Sequence, residues 1–98
     1  MRMIRPKLVA PQVTIAEDQD RYKPVTAALV NHDGYGQLHG RPNTVVLAFQ
    51  VNEEERQLLV RGEPLYLSLL TFGAPMQPVI LSVGAETVAV MYGVEVET

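Results

Sequence analysis

Through most of this chain hydrophobic side chains recur at every second position, the spacing of β-strands. Residues 7–15 carry Leu8, Val13 and Ile15, with Pro11 interrupting them. A proline cannot donate to a sheet ladder, so this stretch predicts an edge strand or an extended arm. In residues 22–31, Val25, Ala27 and Leu29 alternate with Thr26, Ala28 and Val30, and Pro24 favours extended backbone at Lys23. Residues 43–51 give the clearest strand, with Val45, Leu47, Phe49 and Val51 on one face and Val46 and Ala48 on the other. Residues 64–72 and 79–83 read as two more strands around a corner at 73–78. Residues 87–96 read as the last, with Val88, Val90, Tyr92, Val94 and Val96 on one unbroken apolar face.

The period changes at Asn52. Asn52 is a good N-cap, Glu55 stands where a capping box needs its acid, and Glu53 and Glu54 suit the positive end of a helix dipole. Gly62 and Pro64 supply a stop, and a helix this short must pack Leu58 and Leu59 on the sheet to persist. The pattern as a whole predicts a small β-rich α+β domain of about six short, mostly antiparallel strands with one short helix. Residues 1–98 form a single domain in this reading, with 1–11 as a candidate extended arm.

Composition narrows the chemistry. The chain has no cysteine, which excludes disulfides, thiolate nucleophiles and Cys-ligated zinc. Its net charge is −3 with eight Lys and Arg. Beyond Arg2, Arg5 and Lys7 the cations are scattered, so no basic face for nucleic acid is expected. No apolar run approaches the length that spans a bilayer, so no membrane partner is expected either. A hydrophobic fraction of 47% is high for 98 residues and points to a subunit interface and a homo-oligomer. The apolar faces of 87–96 and 43–51 are the surfaces expected to associate.

Glu55-Arg56, Leu59, Gly62, Leu65-Tyr66-Leu67 and Leu70-Thr71-Phe72-Gly73 are followed by Pro75-Met76-Gln77-Pro78-Val79 and Leu81. With Val13 to Ala16, Tyr22 and Pro24, these residues resemble a family of short, uncharacterised bacteriophage and prophage proteins. That family carries an ER…L…G…YL…LTFG.P.QPV.L segment. The resemblance covers the C-terminal half well and the rest loosely, and most of its positions are caps, corners and core residues. It implies a viral or prophage origin and no particular reaction. The acidic helix start at 52–55 and the long last strand depart from the family pattern.

Few residues suggest a site. His32, Asp33 and His39 lie in the glycine-rich stretch 31–43, but their spacing matches no metal motif, and solvated loop histidines are the expectation. The consecutive acids Glu53 to Glu55 diverge around a helix and serve its start. Ser68 and Ser82 stand in no nucleophile elbow. No catalytic residue, metal or cofactor is expected. Tyr35 is the aromatic most exposed by its glycine neighbours, and Met76 and Gln77 sit in a rigid corner. Tyr35, His32, His39, Arg41, Met76 and Gln77 are therefore the candidate binding residues. Together with the resemblance they predict a non-enzymatic phage-derived accessory protein that binds a host protein or a small signalling molecule in the host cytoplasm. The alternative is a virion component, such as a head decoration or connector piece. A metal-dependent enzyme is a distant third.

Overall fold

The structure, a computed structural model, describes residues 1–15, 25–31, 42–69, 71–75 and 77–98. Its strands are short and antiparallel. Strand β4 (Val25–Val30) is the centre of a three-stranded sheet, flanked by β3 (Gln12–Ile15) and β5 (Thr44–Val46). Ala27, Ala28 and Val30 of this central strand are fully buried, and Ala28 packs against Leu8 and Ala89 from other elements. Strand β1 (Arg2–Ile4) pairs with β6 (Ala48–Gln50), and β2 (Leu8–Val9) pairs with β7 (Glu95–Val96). Pro11 separates β2 from β3, as its missing N–H requires, and its carbonyl accepts from the Leu29 N–H at 2.8 Å.

The stretch read as one strand over 43–51 is two. It leaves one sheet at Leu47 and enters another, with β5 on β4 and β6 on β1. Such a switch lets a single extended segment close a corner between small sheets.

Two helices replace the one expected. Helix α1 (Glu53–Val60) begins with the predicted capping box at Asn52 and Glu55. It ends with Gly62 at φ +89°, where the Glu63 N–H reaches the Leu58 carbonyl and the Gly62 N–H reaches that of Leu59. This paired closure is a Schellman motif. Contrary to expectation, α1 buries no residue, and Leu58 and Leu59 stay exposed.

Helix α2 (Ala85–Tyr92) occupies most of the stretch expected as the last strand, leaving only β7 extended. Its end repeats the same motif, with Gly93 at φ +65° and the Val94 N–H on the Ala89 carbonyl. Turning the segment into a helix places Val88, Ala89 and Tyr92 inward together, which a strand could not do. Ala89 then meets Leu8 of β2 and Ala28 of β4 in the core, with Ala10, Val46, Val88, Val94 and Val96 around them.

Residues 64–72 and 79–83, expected as strands, form no ladder among the described residues. Strand propensity is realised only against a neighbour, and the described residues offer these segments none. The protein is therefore strand-rich and small, with seven short strands and two helices among the described residues. No described helix is long and apolar enough to cross a membrane.

Candidate interaction surface

The Schellman closure of α1 ejects the chain at Gly62, and Pro64 prevents the helix from resuming. From there to Gly84 the described backbone, 63–69, 71–75 and 77–84, crosses the surface without regular structure. A loop of this length inside so small a domain is uncommon. Its composition is not that of a loop. Between Glu63 and Glu86 there is no charged side chain.

The described apolar side chains of this segment face solvent. Tyr66 is 83% exposed, Phe72 81% and Val83 90%, and Leu65, Leu67, Leu69, Ile80 and Leu81 are also exposed. Among the described residues of 64–83, the one backbone hydrogen bond within the segment runs from the Ala74 N–H to the Thr71 carbonyl at 3.0 Å. It closes a turn whose central residues, Phe72 and Gly73, both have positive φ, +54° and +84°. Positive φ at both central positions marks the mirror-image type I turn that joins hairpin strands.

The surface as a whole is larger than folding alone predicts. The chain exposes 8011 Å², whereas a compact monomer of its mass exposes roughly 5,500 Å². The radius of gyration is 14.7 Å, against about 12.6 Å for a compact chain of this length.

A different feature joins the two ends of the fold. Arg5 grips Glu97 with two parallel hydrogen bonds, Nη1 to Oε2 at 2.7 Å and Nη2 to Oε1 at 2.6 Å. The donated hydrogen bond and the positive charge of Arg5 hold the Glu97 carboxyl below the usual carboxylate range, and Arg5 is raised in return. Ile4, Lys7, Gln50 and Thr98 complete an open hollow of about 520 Å³ around the pair. Because the two charges satisfy each other, this hollow presents Lys7 and the Gln50 carboxamide and no convergent acid and base. Glu55 is also held low, by the Asn52 N–H and then by the Met1 ammonium.

Of the candidate binding residues, Gln77 is exposed within the apolar segment. His32, Tyr35, His39, Arg41 and Met76 lie outside the described residues. What the reading of single residues missed is the segment itself. Its signal was present in the sequence as the charge-free interval between Glu63 and Glu86, which the two expected strands had absorbed. No protein-family model, curated protein or solved structure matches the chain.

Proposed function

We propose that the chain is a non-enzymatic structural component that works through permanent protein–protein contact. In the phage or prophage setting that its C-terminal half suggests, this is a part of the virion, such as a head decoration or connector piece. The observation that carries the reading is the charge-free, exposed apolar segment 64–83. Apolar surface on this scale is an interaction surface or an aggregation hazard. Cover that is always present suits an assembled component better than a factor that stays free until it meets a target.

Mass spectrometry of purified particles tests this. The protein is expected at a fixed copy ratio to the major particle proteins through successive purification steps. Its absence from particles, with recovery in a stable complex from infected-cell lysate, would replace the reading with the second one. In that second reading the same surface binds a host protein in the cytoplasm, and Gln77 lies within the contact.

A further inference from the structure

We propose that residues 64–83 are an exchanged assembly arm, adding as extended strand to a second copy of this chain that returns its own arm. The proposal rests on the contact role proposed above and names the partner.

The backbone is the first argument. Leu65, Leu67 and Leu69 alternate with Tyr66 and Ser68, and Val79, Leu81 and Val83 alternate with Ile80 and Ser82. Both stretches carry a strand's period, yet among the described residues neither has a ladder partner. Strand addition supplies what each lacks, main-chain hydrogen bonds and cover for alternate side chains.

The turn explains why the two stretches do not satisfy each other. Phe72 and Gly73 bring the chain back as a hairpin would. In the register set by the Thr71–Ala74 pair, Pro78 falls opposite Leu67, where the ladder needs an N–H that proline lacks. Among the described residues the hairpin does not zip, and their backbone remains open to an outside strand.

Area is the third argument. The chain exposes 8011 Å², roughly 2,500 Å² more than a compact monomer of this mass. A standard interface removes about 800 Å² per partner, and obligate assemblies remove roughly 2,000–5,000 Å² in total. The excess of the whole chain is of the size that an obligate interface removes.

The chain also carries an acceptor. Strands β3 and β5 are the outer strands of their sheet, and Val13, Ile15 and Val45 on them are exposed. Donor and acceptor on one chain permit a closed two-fold arrangement. Lipid is the poorer occupant, because an extended backbone with open N–H and C=O groups is not tolerated in hydrocarbon.

The test is sedimentation equilibrium with hydrogen exchange on the full chain at micromolar concentration. The expected result is a dimer with no monomer, and amides at 65–69 and 79–83 exchanging at least ~100-fold slower than open chain. The double variant Leu67→Asp, Leu81→Asp is expected to sediment as a monomer with those amides unprotected and β4 still protected. A wild-type monomer overturns the proposal, as does protection of the arm within a monomer or protection that appears only with vesicles or a foreign protein. Should the double variant fail to fold, a mixture of ¹³C-labelled and unlabelled wild type decides. Contacts between copies from arm side chains to β3 or β5 support exchange, and their absence overturns it. A monomer that still co-purifies with particles sinks only the exchange, whereas a dimer absent from particles sinks only the virion reading.

Discussion

Asn52 receives the Glu55 N–H on its side-chain oxygen at 2.8 Å and returns its own N–H to the Glu55 carboxylate at 2.9 Å. This reciprocal pair was legible because both partners lie within four residues and need nothing from the rest of the fold. Since α1 buries no residue, the cap carries an unusual share of the helix's stability. Asn52→Ala is expected to cost roughly 0.5–2 kcal/mol in urea unfolding while leaving the assembly state unchanged. The Arg5–Glu97 pair was not legible, because 92 positions separate its members and only the pairing of β2 with β7 brings them together. The Glu97 carboxyl is held low in the folded state, so its stabilisation is fully present above the ordinary glutamate value of about 4.3. That stabilisation is lost as pH falls through the lower folded value. The pair is exposed, so the effect is small. Thermal unfolding of wild type and Glu97→Gln should therefore differ at pH 7 and converge in strong acid. A constant difference across that range would mean that the pair contributes through packing and not charge.

Elements that depend on partners were harder to read than caps. Residues 87–96 hold Val88, Val90, Tyr92, Val94 and Val96 at period two, but Val88, Ala89 and Tyr92 also share a helical face. Short apolar runs do not separate these periods. Gly93 closes the helix at φ +65°, but in the sequence a glycine there reads as a helix stop as readily as a strand interruption. Strand β4 was legible from both of its faces, because a central strand is apolar on each. Strands β2 and β7 are two residues each, below what periodicity can resolve. Their sheet holds through Leu8, which is 2% exposed against Ala28 and Ala89. Its neighbours are alanines and β-branched valines, short side chains that cannot reach into the space that Leu8 would leave. Leu8→Ala should cost about 2–5 kcal/mol, a large share of the roughly 5–15 kcal/mol that such domains possess. Chemical denaturation would show the midpoint collapse, whereas an unchanged midpoint would mean that the core lies elsewhere.

For the molecule as a whole, the sequence led to an expectation of apolar surface on 43–51 and 87–96. Val45, Leu47, Phe49 and Val90 are exposed there, Ala89 and Tyr92 are buried because 87–92 is helical, and a further set of exposed apolar side chains lies in 64–83. The local pattern of that segment asks for strands, and nothing among the described residues of a single copy provides their neighbours. If a second copy does, unfolding separates two chains, and stability must depend on concentration by mass action. Each tenfold dilution then removes about 1.4 kcal/mol per mole of dimer. The Tm of wild type should consequently climb as concentration rises from about 1 to 100 micromolar, under conditions where unfolding is reversible. The Leu67→Asp, Leu81→Asp chain should show a flat Tm over the same range, because its arms no longer leave water for a neighbour. A flat wild-type curve would mean that one copy unfolds alone, with its apolar segment bare, and the segment's exposure would then have no structural role in holding the fold together.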